Sequence, residues 1–160
     1  MQSEASAMPP CAQRRRVLQR VGAVASLGLA ALPTARAATI DPAAAFAAQT
    51  FAEAIAALGG TPTPSSQITL TAPKVADNGA FVPITVSSAL RGTREILLLV
   101  DGNPQPLAAR FTIPPGTEAF VATRIRMAGD GTVYAAVRTD DGLHAAAHAI
   151  SVTVGGCGKA

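Results

Sequence analysis

Phe120-Val121-Ala122-Thr123-Arg124-Ile125-Arg126-Met127 decides the fold. In an extended chain Val121, Thr123, Ile125 and Met127 fall on one side, and Arg124 and Arg126 on the other. A period of two with one apolar face and one cationic face predicts a strand that covers a core and faces water. Gly129-Asp130-Gly131 predicts a turn into a strand at Thr132–Arg138, and Asp140-Asp141-Gly142 a turn into a last strand at Leu143–Val154. Towards the N-terminus, Pro114-Pro115-Gly116 closes a run from Leu107 to Ile113, and Asp101-Gly102-Asn103-Pro104 closes the run Glu95–Val100. Val82, Ile84 and Val86 point one way and Pro83 and Thr85 the other; Pro83 predicts an edge or a bulge, because proline has no N–H for a ladder. Asp77-Asn78-Gly79 is a turn signal, and Gln67–Ala72 alternates with Ile68 and Leu70 on one side. Six or seven short strands with regularly spaced turns predict an all-β fold, an antiparallel immunoglobulin-like β-sandwich over 67–154. The chain has no Trp and no Cys…Trp…Cys signature, so the likeness is one of architecture.

One N-terminal α-helix is expected before the sandwich, within 38–60. Asp41 is a candidate N-cap and Pro42 suits the first helical position. Phe46, Ala47, Thr50, Phe51, Ala54, Ile55 and Leu58 form one apolar stripe, with Phe46 and Phe51 as packing anchors, and Gly59-Gly60 ends it. Thr61-Pro62-Thr63-Pro64-Ser65-Ser66 reads as a linker.

Residues 1–37 read as a leader that is removed. Arg14, Arg15 and Arg16 precede an apolar run from about Val21 to Leu32, followed by Pro33 and the small-residue site Ala35-Arg36-Ala37. The run is too short to span a bilayer. Arg14-Arg15-Arg16-Val17-Leu18-Gln19 resembles a twin-arginine export signal, with Arg14 and Arg15 as its pair, so the expected location is the periplasm. The leader carries five arginines and one glutamate, net +4, so its loss takes the formal charge from +3 to −1. The basic character therefore leaves with the leader, and nucleic-acid binding loses its support. Cys11 leaves too, so Cys157 becomes the only cysteine and an internal disulfide is excluded. No lipid-anchor cysteine follows the apolar run, and a membrane anchor is not expected.

Cys157 is the candidate functional residue. It stands among Gly155, Gly156 and Gly158, four positions from the end, where nothing follows that could cover it. Glycine admits almost any backbone conformation, so 155–160 is expected to be a flexible arm that presents a thiol. Other chemistry is weaker. His144 and His148 are four apart in a strand pattern, roughly 13 Å, too far to share one ion unaided, and no metal site is expected. A Cys–His nucleophile pair needs a thiol held beside its base, which a glycine-rich tail does not do. Arg124 and Arg126 read as a solvated strand face, or else as a contact for an anionic substrate or an acidic partner. A carboxylate-activating sulfur carrier needs a terminal Gly-Gly, and here Cys157-Gly158-Lys159-Ala160 follows. A binding or assembly module joined through an intermolecular Cys157 disulfide, and a thiol-dependent enzyme, are the alternatives.

The chain resembles the SoxY family, the sulfur-carrier subunit of the thiosulfate-oxidising Sox system. The likeness rests on the leader, the Ala-rich helix, Asn78-Gly79-Ala80-Phe81-Val82-Pro83-Ile84, Asn103–Phe111, Val121–Met127 and Val154-Gly155-Gly156-Cys157-Gly158. Lys159-Ala160 departs from the family's usual terminal glycine. The resemblance implies a non-catalytic carrier with no cofactor of its own, holding sulfur intermediates covalently on Cys157. It also implies partners: a SoxZ-like β-sandwich subunit in a heterodimer, a haem-containing sulfur-conjugating enzyme, a sulfate-releasing hydrolase and, in some systems, a sulfane dehydrogenase.

Overall fold

The computed structural model describes residues 40–153. Two short helices, α1 (Pro42–Ala47) and α2 (Phe51–Ala57), precede nine strands. The strands are β1 (Thr63–Pro64), β2 (Ile68–Thr71), β3 (Val75–Ala76), β4 (Val82–Ser88), β5 (Glu95–Val100), β6 (Leu107–Thr112), β7 (Phe120–Ile125), β8 (Gly131–Thr139) and β9 (Gly142–Val152). A large sheet runs β1-β9-β8-β5-β6, with β3 also paired to β9, and a small sheet runs β2-β4-β7. The expected β-sandwich is therefore present, with two exceptions to its antiparallel character: the two-residue strands β1 and β3 pair parallel with β9. Thr63 and Pro64, expected in a linker, make the first of these pairings.

Burial on both sides explains why Glu95–Val100 is continuously apolar after its first residue. Ile96, Leu98 and Val100 face Val82, Ile84, Val86, Val121 and Ile125 of the small sheet, whereas Leu97 and Leu99 face the helices. All five are fully buried. Ala45, Ala54 and Ala136 are also fully buried; their small side chains let the helix pair lie close against the sheet. The alternation in β7 holds as read: Val121, Ile125 and Met127 are buried while Arg124 and Arg126 are exposed.

The single N-terminal helix is corrected to a pair. Ala48 is extended, at φ −60 and ψ 136, and the chain restarts at Thr50. Thr50 accepts from the backbone N–H of Glu53, and the Glu53 carboxylate accepts in return from the N–H groups of Gln49 and Thr50. This capping box satisfies donors that a continuous helix would have bonded internally. Gly59 and Gly60 take positive φ, 100 and 109, and end α2 as expected. Phe46 is half-exposed instead of anchoring the helix, while Phe51 packs on Tyr134 with ring centroids 4.7 Å apart. Pro83 lies in the central strand of the small sheet but at a local edge of it. It is tolerated because β2 pairs only with Thr85–Ser88, so β4 has one strand neighbour at Pro83.

Candidate functional site

β9 ends at Val152, five positions before Cys157 in the chain. β8 accompanies β9 from Gly142 to Ile150 and then turns away. From there β3 takes over, pairing Val75 with Ser151 and Ala76 with Val152. Three consecutive residues are fixed in turn. Ser151 N–H donates to the Lys74 carbonyl at 2.9 Å, Val152 N–H to the Asp130 carboxylate at 2.6 Å, and Thr153 N–H to the Ala76 carbonyl at 3.0 Å. The Thr153 hydroxyl also donates to the Asp77 carbonyl at 2.8 Å. Asp130 is placed by the turn before β8: a Cβ on Gly131 would sit 2.3 Å from the Asp101 carbonyl oxygen, so only glycine fits that approach. The chain is thus tied to the body up to Thr153.

The end of β7 lies beside this root. Met127 N–H donates to the Gly79 carbonyl at 2.7 Å, in the same loop whose Asp77 holds Thr153. Asn78 shapes that loop by accepting from Ala80 N–H at 2.8 Å. Asn103, in the loop after β5, donates to the Arg126 carbonyl and accepts from Ala128 N–H, both at 2.8 Å. Those two bonds fix the backbone on which Arg126 stands. Phe81, Pro83, Ala122, Arg124 and Arg126 line a groove on the outer face of the small sheet. Among the described residues the ion pairs are made by Arg94, Arg110 and Arg138, not by Arg124 or Arg126.

On the other face of the molecule, the Glu95 carboxylate receives both Arg110 and Arg138. Burial works to raise the Glu95 carboxyl, but hydrogen bonds and positive charge from Arg110 and Arg138 outweigh it and hold the group below the usual carboxylate value. Arg138 also donates to the Leu58 carbonyl at 2.9 Å, joining the end of α2 to β8. An apolar groove of about 680 Å³ lies nearby, lined by Phe51, Ile55, Pro62, Tyr134 and Ala145. Its β9 residues are roughly 20–25 Å along the strand from Thr153.

His144 and His148 both lie on β9, opposite Val137 and Val133. The Nε2 atom of His148 is buried with no hydrogen-bond partner, and no group of three or more metal-ligating side chains occurs among the described residues. Phe111 is half-buried against the core, whereas Phe120 is 50% exposed. No helix among the described residues is long and apolar enough to cross a membrane. Cys157, Gly155, Gly156 and Gly158, and the leader pair Arg14 and Arg15, lie outside the described residues. Sequence reading missed Asp130, Thr153 and Asn103. Each acts through bonds to a distant segment, and only their turn-forming or strand-ending character was visible.

Comparison with known proteins places this scaffold. A family model described as sulfur oxidation protein SoxY matches residues 54–157, from α2 through the cysteine. The solved structure of the sulfur carrier protein SoxY from Chlorobium limicola f thiosulfatophilum is similar, with a TM-score of 0.54 and 33% identity, covering 60% of this chain and 88% of that one. No curated protein matches. The match spans most of the chain and includes the two-sheet sandwich, β9 and the glycine-flanked cysteine beyond it; this chain belongs to the SoxY family.

Proposed function

We propose that this chain is a periplasmic, non-catalytic carrier of sulfur intermediates in thiosulfate oxidation, with Cys157 as the attachment point on a C-terminal arm of Gly155, Gly156 and Gly158. The supporting observation is that the family match runs through residue 157, the one cysteine left once the leader is gone. Likeness to a protein named as a sulfur carrier supports the same role. Sulfur suits the task because a thiolate forms and exchanges S–S bonds reversibly.

Loading joins thiosulfate to the thiol: Cys157–SH and S₂O₃²⁻ give Cys157–S–S–SO₃⁻, one proton and two electrons, the electrons passing to a haem-containing conjugating enzyme. Unloading is hydrolytic: water converts Cys157–S–S–SO₃⁻ into Cys157–S–S⁻, sulfate and two protons on a sulfate-releasing hydrolase. A sulfane dehydrogenase, where the organism has one, acts on the remaining sulfane sulfur. The carrier supplies no cofactor; it supplies a thiol of small cross-section that enters each partner. A SoxZ-like β-sandwich subunit completes a heterodimer, and export through the twin-arginine route with Arg14 and Arg15 moves the folded pair. The rival module with an intermolecular disulfide through Cys157 predicts a constant linked species under all conditions.

Intact mass of the protein from thiosulfate-fed cells separates these readings. Thiol-reducible additions on Cys157 that appear with substrate are expected; unmodified thiol and symmetric disulfide alone would refute the carrier. Cys157→Ser is expected to abolish thiosulfate oxidation by a reconstituted system while leaving the melting temperature unchanged.

A further inference from the structure

We propose that the outer face of the small sheet next to the arm root, formed by Phe81, Pro83, Ala122, Arg124 and Arg126, docks the enzyme that loads Cys157, and that this enzyme presents carboxylates around an apolar contact. The proposal rests on the carrier reading above and names the surface and the chemistry through which the carrier is gripped.

Reach comes first. Cys157 is four residue steps beyond Thr153, the last described residue tied to the body. Even fully extended they span about 13–14 Å. An enzyme that takes the thiol into a channel must therefore bring its rim against the carrier's own surface around Thr153. The apolar groove beside α2 is too far along β9 to be that surface.

Composition comes second. Phe81 is 68% exposed, the most exposed of the large apolar side chains among the described residues. It stands two residues from the loop segment that bonds Met127, at the arm-root end. Val75, paired with Ser151 in the root itself, is 57% exposed. The outer face of the large sheet is covered by α1 and α2, whereas no described element covers that of the small sheet. Exposed apolar side chains beside charge mark a contact surface.

Charge comes third. β2, β4 and β7 contribute no carboxylate, while Arg124 and Arg126 contribute two cations that the described ion pairs do not use. A mature chain of formal charge −1 thus sets two cations on this sheet face, while Asp77 and Asp130 stand at the arm root beside it. Complementary carboxylates on the partner would speed encounter and fix orientation. The two bonds from Asn103 hold the backbone at Arg126 before any partner arrives, which lowers the ordering cost of contact.

The test uses the mature full-length chain together with the SoxZ-like subunit proposed above, the purified haem-containing conjugating enzyme and thiosulfate, with loading followed by intact mass. Arg124→Glu with Arg126→Glu is expected to raise the KM for the carrier about tenfold or more and to remove the slowing of wild-type loading by salt. Phe81→Ala is expected to raise it several-fold. The melting temperature and the rate of Cys157 alkylation by iodoacetamide should not move. Phe120→Ser, at the far end of β7 and about 20 Å from Arg126, should load like wild type. Arg124→Gln with Arg126→Gln repeats the test should the charge-reversed chain fold poorly. Equal loading of wild type and the arginine variants overturns the proposal. So does loss of a permanent subunit or of self-association in sedimentation, because the face would then be a subunit interface. A wild-type chain that acquires no adduct overturns the carrier reading itself, a failure visible without any variant.

Discussion

At the scale of single residues, Glu95 and Arg138 matter to stability as Asp130 and Thr153 matter to the arm root. Glu95 sits between two guanidinium groups, of which Arg138 is the more buried, its side chain 14% exposed against 34% for Arg110. Its folded-state pKa is held below the unfolded value, so its contribution is fully present above about pH 4.3, the ordinary value for glutamate. It is lost as pH falls through the lower folded-state value. Glu95→Gln is expected to cost about 1–3 kcal/mol at pH 7, because two charged donors lose an ionised acceptor. The deficit should close in acid. Denaturation followed at pH 7 and near pH 3 checks this, and a constant deficit across that range would contradict it. Arg138→Met should be the worse change, since it also strips the Leu58 carbonyl of its donor.

At the scale of elements, the T-x-x-E box at Thr50–Glu53 decides that the N-terminal segment is two helices. Thr50→Ala is expected to destabilise by about 1 kcal/mol, read as a fall in the urea midpoint with unchanged slope. Leu97→Ala should cost about 2–5 kcal/mol, as it opens a cavity between β5 and the helix pair. The strands were legible because the period of two survives wherever one face is wet, as in β4 and β7. The helix break was not legible from apolar spacing, because Phe46 and Phe51 fit one stripe whether or not the chain restarts between them. The capping box was present in the sequence and carried the contrary signal. Neither β1 nor β3 was legible, because each is two residues long and is defined by its partner in β9. For the site, Cys157 and its glycines stood out by chemistry and position. The anchoring of Ser151, Val152 and Thr153 did not, because it depends on segments about 20 to 80 residues earlier in the chain.

At the scale of the whole molecule, the sandwich is followed by the seven residues from Val154 to Ala160, and the proposed carrier role sets what each part must do. The body up to Thr153 is fixed by backbone bonds from β3 and by Asp130, so freedom to enter a partner has to come from the residues after it. In the proposed arm, glycine at 155 and 156 would supply both backbone range and a narrow profile. Replacing Gly155 and Gly156 with Val restricts φ/ψ and widens the tether; replacing them with Pro locks φ outright. Either change is expected to slow enzyme-dependent loading and unloading of Cys157 at least tenfold, about 1.4 kcal/mol or more in barrier. Alkylation by a small reagent should stay within about twofold, because thiol exposure and pKa depend little on the tether's width. Lys159→Ala should matter less, since an exposed charge two residues from the thiol is screened over roughly 8–10 Å at ordinary ionic strength. The two rates measured side by side decide where the glycines act. Equal losses in both would mean that they tune the thiol, and full retention of enzyme-dependent transfer would mean that delivery does not depend on them; loss of transfer alone would place their role in delivering the thiol to its partner.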